Sequence, residues 1–327
     1  MKYELLIENR YGNKTWHKPA VIEPVEWETY RKDTPSKLTF QVVKDDTLDF
    51  QEGSRVSFKV DGKNVFLGYV FEKSRDKDQL ITVTAYDQTR YFKNKNAYVF
   101  ENMKASTFIK RICDDMLVTT GEIEDTGYAI GQLCYTDDTL FDMIQGSLDD
   151  TVMATNQLFC IYDDFGQVKL KNIKNLKLDY AITAETAENF DYTSSIDSNT
   201  YNRIKIQKAS SDKGLSDIVV EEDVKTIHDW GVLQKFEQWG ENQNEAQAKE
   251  MAKSLLKLYN NKTRSLGVSG CKGDVRVRAG TSVLCRLSLG DMPQLCNYML
   301  VEEAKHTFEE NTHVMSLRLS GKGEFYE

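Results

Sequence analysis

The densest group of potential metal ligands in the 327-residue chain is Glu302, Glu303, His306, Glu309, Glu310 and His313. Two imidazoles among four carboxylates are the donor types that hold zinc or a similar ion. Their spacing spreads them over the end of one strand and the polar hairpin leading into the next. Acidic residues in such a turn ordinarily form a solvated rim, and the run is read that way rather than as a metal site. The remaining histidines, His17 and His228, form no HExxH and no close i, i+4 pair. The adjacent carboxylates Asp114/Asp115, Asp149/Asp150, Asp163/Asp164 and Glu221/Glu222 point in different directions on any regular element. None is an acid–base couple by itself, because a glycosidase takes its two acids from separate elements about 5–10 Å apart. Cys113 stands beside two aspartates, whose charge disfavours a thiolate. There is no GxxxxGK[ST], no GxGxxG after a strand and no GxSxG elbow. No catalytic, cofactor-binding or metal-ligating residue is therefore assigned, and no cofactor is expected.

The elements that carry these residues are mostly strands. Lys37 to Val42, Arg55 to Val60 and Leu80 to Ala85 alternate apolar and polar with period two. Asp61-Gly62-Lys63-Asn64 is a tight hairpin turn. In the following strand, Val65 to Phe71, Gly68 marks a bend or a close backbone approach. Such strands suggest a small antiparallel barrel or sandwich. Near residue 100 the period changes. Phe108, Ile109, Ile112 and Met116 predict a helix capped by Ser106 or Thr107. Leu140, Phe141, Ile144, Leu148 and Val152 predict a second behind Asp137 or Asp138. A hairpin follows: Gln157 to Tyr162, a turn at Asp163-Asp164-Phe165-Gly166, and Gln167 to Leu170. Strands resume at Tyr201 to Ile206, Asp217 to Glu221 and Val232 to Trp239. A helix carrying Ala248, Met251, Ala252, Leu255 and Tyr259 is capped by Asn242 or Asn244. A last meander takes in Ser282 to Leu287, Tyr298 to Glu303 and His313 to Leu319.

Composition narrows the function classes. Lys and Arg total 42 against 51 Asp and Glu, a formal charge of −9. So acidic a chain lacks the broad basic footprint of nucleic-acid binders and of proteins that sit on anionic membranes. Trp16, Trp27, Trp230 and Trp239 do not alternate with cations as a base-stacking platform does. Arg90 to Lys95 is a short basic patch read as a solvated turn. No apolar run of transmembrane length and no signal peptide is present, so specific nucleic-acid binding and membrane insertion are not expected. The six cysteines, Cys113, Cys134, Cys160, Cys271, Cys285 and Cys296, include no CxxC. They are read as reduced and mostly buried, in a protein made in the cytosol.

The chain also echoes itself. Gly53-Ser54-Arg55-Val56-Ser57-Phe58-Lys59-Val60 resembles Gly280-Thr281-Ser282-Val283-Leu284-Cys285-Arg286-Leu287. Tyr69, Val70 and Glu72 follow the first, Tyr298, Val301 and Glu302 the second, and each ends in an alternating strand.

The order of motifs is familiar. Pro35 to Val42, Glu52 to Val56, Val65 to Val70 and Thr84 to Phe92 resemble the N-terminal barrel of contractile-tail baseplate hub proteins of the XkdQ/YqbQ type, related to the late control gene D hubs. Tyr201 to Ile206, Trp230 to Gln234, Asn244 to Ala248, Arg278 to Val283 and Tyr298 to His306 follow the same order. The resemblance implies a mainly β, α+β fold with two tube-like antiparallel β-barrel domains flanking a small α+β module. The domains expected are 1–100 (first barrel), 101–188 (module of two helices and a hairpin) and 189–327 (second barrel with one long helix).

The same resemblance implies a structural, non-enzymatic protein. It would be a homotrimer joining a six-fold tail tube to a three-fold central spike, with a baseplate wedge or LysM-type tail protein as a further partner. Its place would be the baseplate of a virion or tail particle assembled in the bacterial cytoplasm. Two barrels per chain make three chains equivalent to six subunits, which explains the echo. The last strand ends close to the C-terminus, and no appended wall-degrading domain is expected. The alternatives are a tail-associated cell-wall hydrolase and a receptor-binding tail component.

Overall fold

The computed structural model describes residues 1–327 except 10–14, 198, 209–216, 240–243, 290–291 and 322–327. In chain order the elements begin with β1 (Tyr3–Asn9), β2 (Thr15–His17), β3 (Val21–Tyr30), β4 (Lys37–Val43), β5 (Arg55–Val60), β6 (Lys63–Arg75) and β7 (Leu80–Tyr86). Next come β8 (Lys95–Lys104), α1 (Ala105–Asp115), β9 (Thr120–Ile123), β10 (Ala129–Thr139), α2 (Leu140–Thr155), β11 (Phe159–Asp163) and β12 (Val168–Asn172). The remainder are β13 (Lys177–Thr183), β14 (Asn189–Ser195), β15 (Arg203–Lys208), β16 (Ile218–Glu222), α3 (Val224–Trp230), β17 (Gln234–Trp239), α4 (Glu245–Tyr259), β18 (Thr263–Lys272), β19 (Ser282–Leu289), β20 (Met292–Glu309) and β21 (Thr312–Ser320). The fold is mainly β with a minority of helix. Among the described residues no helix is long and apolar enough to cross a membrane.

Two compact units divide the chain. The larger takes in Met1–Thr151, Gln157–Asp191 and Leu266–Glu327, the smaller Val152–Asn156 and Tyr192–Ser265. A 13-stranded sheet runs in the order β14-β18-β21-β20-β3-β4-β7-β6-β5-β1-β2, with β19 paired to β20 and β13 to β19. Its inward faces follow the period-two pattern of the sequence. Leu38, Phe40 and Val42, Val56 and Phe58, and Val83 and Ala85 are buried in one cluster. The β5–β6 turn is Asp61-Gly62, both at positive φ, with Val60 opposite Lys63. That is the mirror-image turn whose twist suits a hairpin.

Two closed, all-antiparallel barrels were expected. Instead, strands of both halves share this open sheet, because β20 pairs with β3 as well as with β19 and β21. Pairing is also not antiparallel throughout, since β13 runs parallel to β19.

In the inserted segment, α1 buries Phe108, Ile109, Ile112 and Cys113, and α2 buries Leu140, Met143, Ile144 and Leu148, beside Phe159, Val168 and Leu170 of the β11–β12 hairpin. The caps differ from expectation. Lys104 precedes α1 without a side-chain cap. Ser106 instead hydrogen-bonds Thr126 in the loop that packs on this helix end. At α2 the hydroxyl of Thr139, not Asp137 or Asp138, accepts from the Asp142 amide at 3.1 Å. A long ribbon of β8 against β10 was not foreseen.

The smaller unit has its own sheet, β16-β15-β17, with α4 against it. Ile204, Ile206, Val219, Ala248, Ala252 and Leu255 form its core. Three strands expected to continue the second barrel therefore lie in a separate sheet, and β17 runs parallel to β15. Asn244 and Gln247 cap α4 reciprocally, at 3.0 and 2.9 Å. The alternative cap Asn242 and the side chains of Cys296 and Trp239 lie outside the described residues. Of the other cysteines four are buried and Cys134 is exposed.

Candidate assembly surface

The echo between the two Gly-[Ser/Thr] segments is a repeat of backbone geometry. Gly53 and Gly280 both sit at positive φ, +83° and +89°. The Gly53 amide donates to the Val70 carbonyl at 2.7 Å, and the Gly280 amide to Val301 at 2.8 Å. In return the Val70 amide reaches Ser54 and the Val301 amide reaches Thr281, each at 2.9 Å. The Ser54 hydroxyl accepts from the Gln51 amide at 3.2 Å, and the Thr281 hydroxyl accepts from the Arg278 amide at 3.2 Å.

The ladders agree from the Gly-[Ser/Thr] turn as far as Phe58 and Cys285, beyond which the first copy slips between Phe58 and Lys59 and the second between Leu287 and Leu289. Val56 faces Gly68 and Val283 faces Met299; Phe58 faces Phe66 and Cys285 faces Asn297. In the next ladder each copy slips by one residue at the same place. Val70 and Glu72 face Ala85 and Thr84; Val301 and Glu303 face Leu319 and Arg318. Phe71 and Glu302 are thus equivalent bulge residues, and a bulge fixes both twist and register.

The copies are joined along β20 and β3. Tyr30, Thr29, Glu28, Trp27, Glu26 and Val25 pair antiparallel with Glu303 to Phe308 in succession. On the core side Val25, Trp27 and Thr29 meet Ala304, His306 and Phe308, all at most 5% exposed. On the other side Lys305 reaches Glu26 at 2.7 Å, Lys37 reaches Glu28 at 3.2 Å, and Arg318 reaches Glu303 at 3.2 Å. An open groove of about 390 Å³ crosses this polar face, lined among others by Glu28, Tyr30, Asp191, Glu303, Lys305 and Arg318. At the head of the seam the Arg31 amide donates to the Glu302 carbonyl at 3.0 Å, and its guanidinium binds the Glu302 carboxylate at 2.5 Å.

The structure disperses the carboxylate–histidine group. Glu302 serves Arg31, Glu303 serves Arg318, and the Glu310 backbone amide donates to Glu23 at 2.6 Å. His306 is not part of a solvated rim, because it is fully buried. Its Nε2 lies 2.8 Å from the Val277 carbonyl, which only accepts, so Nε2 carries the proton. Its Nδ1 then accepts from His313 Nε2 at 2.9 Å. This chain of donors requires the His306 ring to be neutral, since its Nδ1 must keep a lone pair. Burial, with the neighbouring His313 adding to it, pulls His306 down to about 3, and burial pulls His313 to about 4. Sequence reasoning missed the pair. Their seven-residue separation is uninformative until the β20–β21 turn folds His313 back over His306.

The adjacent carboxylates go to separate tasks. Asp115 accepts from the Tyr98 hydroxyl at 2.6 Å, Asp149 from Gln145 at 2.6 Å, and Asp164 pairs with Lys169 at 2.5 Å. Glu222 pairs with Arg203 at 2.7 Å. Burial, then the neighbouring Asp114, pushes the Cys113 thiol up to about 12, far from a nucleophile. Burial and then the neighbouring Asp149 raise the Asp150 carboxyl to about 6, and two carboxyls from different elements, Asp87 and Asp163, are also perturbed. Asp87 and Asp163 are both raised by burial, Asp163 also by the charge of Asp87. Asp87 caps the turn after β7 through the Thr89 amide at 2.9 Å, and Asp163 accepts from Gly166 at 2.6 Å in the β11–β12 turn. The cavity beside Asp163 encloses about 20 Å³, room for water and not for a sugar ring. Arg278 closes it, its guanidinium 3.1 Å from the centre of the Tyr162 ring. The basic patch is not a simple solvated turn: Arg90 to Lys93 end a short helix with Phe92 fully buried and Arg90 over the Phe71 ring, and Lys95 opens β8.

Comparison with known proteins fits this two-copy sheet. The pattern of the YqbQ-like family matches residues 25–320. The chain belongs to the YqbQ-like family. YqbQ of Bacillus subtilis (strain 168) is 30% identical to it over 304 residues, 91% of either chain. The phage-like element PBSX protein XkdQ of the same strain is 27% identical over 314 residues, 94% of either chain. Among solved structures, the 43 kDa tail protein of prophage MuSo2 from Shewanella oneidensis superposes with a TM-score of 0.70 at 11% identity, covering 99% of this chain and 100% of that one. The tail protein of Neisseria meningitidis MC58 gives 0.71 at 13% identity, covering 100% and 98%. The E. coli c3393 protein, a type VI secretion component described as structurally similar to phage T4 gp27 and gp5, gives 0.56 at 9% identity, covering 100% and 78%. At such identities these structures establish that the YqbQ-like chain has the fold of prophage tail proteins, and no more.

Proposed function

We propose that this YqbQ-like chain is a structural baseplate hub subunit of a contractile phage tail or phage-tail-like particle. Three copies present six equivalent sheet repeats to a six-fold tail tube and hold a three-fold central spike on the opposite side. The observation that carries this reading is the duplication of the Gly-[Ser/Thr] turn, of the strand pairing beside it and of the bulge at Phe71 and Glu302. A three-fold object matches a six-fold one when each subunit contributes two equivalent surfaces. Residues 1–100 and 189–327 are proposed as the two tube-like repeats, with 101–188 as the module inserted between them. The polar face over the β20–β3 seam, with Glu26, Glu28, Asp191 and Glu303 among its cations, is proposed to line the bore. A bore of mixed and acidic charge passes nucleic acid without holding it.

The chain is proposed to act by binding and not by catalysis, with the tube protein, the spike and a wedge or LysM-type protein as partners. The XkdQ relative and the tail-protein folds support this reading. The hydrolase alternative gains nothing from Asp87 and Asp163, whose cavity admits no glycan. Co-expression with the neighbouring tube and spike genes, followed by native mass and cryo-imaging, tests the proposal. Three copies per particle is the expected count. Two or six copies, or peptidoglycan clearing in a zymogram that is lost in Asp163→Asn, would overturn it.

A further inference from the structure

The duplication leaves one repeat's seam filled and the other's open. In the second copy the half of β20 beyond the bulge, Glu303 to Phe308, is covered by β3 on the side that β19 has vacated. In the first copy the equivalent half of β6, Glu72 to Arg75, pairs with β7, while β5 stops at Tyr69. The other edge of Glu72 to Arg75 has no strand against it among the described residues, and all four side chains are exposed. The counterpart of β3 is β14. It flanks β18 as β3 flanks β4, and among the described residues it ends the sheet. Gly267 of β18 lies against Asp191, as Thr39 of β4 lies opposite Glu26. Phe190, Tyr192 and Ser194 therefore stand where Val25, Trp27 and Thr29 are buried in the seam. Phe190 is 44% exposed where Val25 is 0% exposed.

We propose that β14 of a second copy of this chain completes the open edge of β6, antiparallel and in the register of the β20–β3 seam. Ser74 then lies opposite Thr193, Arg75 opposite Tyr192, and Lys73 opposite Ser194. The chemistry of the two edges is complementary. Arg75 occupies the place of His306, whose ring lies 4.7 Å from Trp27, and it meets the Tyr192 ring as a cation on an aromatic face. A sheet edge is a ready template for pairing with another chain. The contact is heterologous, an edge of one kind against an edge of another, and it builds a ring when the rotation between copies closes and a filament when it does not. The number of copies in that ring rests on the hub reading, whereas the pairing itself rests on the register.

Disulfide mapping tests the pairing in the full chain. Cys134→Ser serves as parent because Cys134 is exposed. Ser74→Cys combined with Thr193→Cys is oxidised at increasing protein concentration and run without reductant. Directly opposed residues have Cβ atoms about 4.5–5.5 Å apart, close enough to bridge. The expected result is a ladder of covalent oligomers ending at the trimer. No ladder is expected from either single variant or from Ser74→Cys with Ser194→Cys, since a one-residue shift turns the thiols to opposite faces. Phe190→Asp, at an exposed position, is expected to leave the monomer's unfolding midpoint unchanged and to weaken assembly at least tenfold. A ladder ending at two or six copies keeps the pairing and overturns the three-copy hub. A native trimer without the Ser74–Thr193 cross-link, or a chain that stays monomeric and unlinked up to its solubility limit, overturns the pairing.

Discussion

Gly68 has no room for a methyl group. A Cβ there would run into the Tyr86 carbonyl and the Phe66 ring. Gly68→Ala is expected to destabilise the chain by about 1–3 kcal/mol through overpacking, read as a lower urea midpoint with an unchanged slope. The His306–His313 pair supplies a pH signature. Its folded values near 3 and 4 lie below the ordinary 6.5. The unfolded chain therefore takes up protons that the folded chain refuses. Stability from the pair is complete above about pH 6.5 and is lost as pH falls toward 4. Asp87 and Asp163 act in the opposite sense. Their raised folded values mean that stability is lost as pH rises through them. His313→Leu isolates the imidazoles. It leaves His306 Nδ1 without a donor and costs about 1–3 kcal/mol at pH 7. The gap to the parent then narrows by up to about 1.4 kcal/mol per pH unit on acidification, the linkage of one proton. Urea midpoints between pH 7 and 5 measure it, and a constant gap would remove His313 protonation from the account.

The two Gly-[Ser/Thr] turns are one element used twice, and their substitutions should match. Ser54→Ala and Thr281→Ala each remove the hydroxyl that accepts from the amide three residues earlier. Each is expected to cost about 1 kcal/mol by equilibrium denaturation, Thr281→Ala somewhat more because its hydroxyl also donates to the Arg278 carbonyl at 2.6 Å. These turns were legible in the sequence because a positive-φ glycine followed by a small hydroxyl and an alternating strand is a local pattern. For the same reason the hairpin at Asp61-Gly62, the apolar stripes of α1, α2 and α4, and the strands Arg55–Val60 and Leu80–Tyr86 could be read directly. The β8–β10 ribbon could not, since much of β8 is exposed and its outward positions include the apolar Ala97 and Val99, so burial alternates along Lys95–Phe100 where polarity does not. Caps were misplaced where a neighbouring loop, such as that of Thr126, satisfied the helix end. The β20–β3 seam joins residues nearly the whole chain apart, and pairing at that distance leaves no mark in either strand alone.

At the scale of the whole chain, the two units differ in how much they bury. Among the described residues the smaller has a modest buried cluster around Ile204, Ile206 and Ala252, whereas the larger includes buried clusters around Phe40, Phe58 and Phe308 and around Phe108 and Leu170. Local opening free energy follows buried apolar packing. Backbone amides of Ile204 and Ile206 are therefore expected to exchange with deuterium before those of Val56 and Val83. Mass-resolved exchange of the native chain measures the order, and simultaneous exchange would mean that the units open together. The matched ladders also set a problem for the nascent chain. Two copies with the same pairing at Val56–Gly68 and Val283–Met299 and bulges at the equivalent residues Phe71 and Glu302 are mutual decoys, and β5 could collapse onto β20 as a domain-swapped misfold. The residues at the shared positions oppose that exchange. Met299 occupies the position that Gly68 holds in the other copy, where Tyr86 and Phe66 leave no space for any side chain. Divergence at one glycine thus lets a chain built from one hairpin twice tell its own halves apart as it folds.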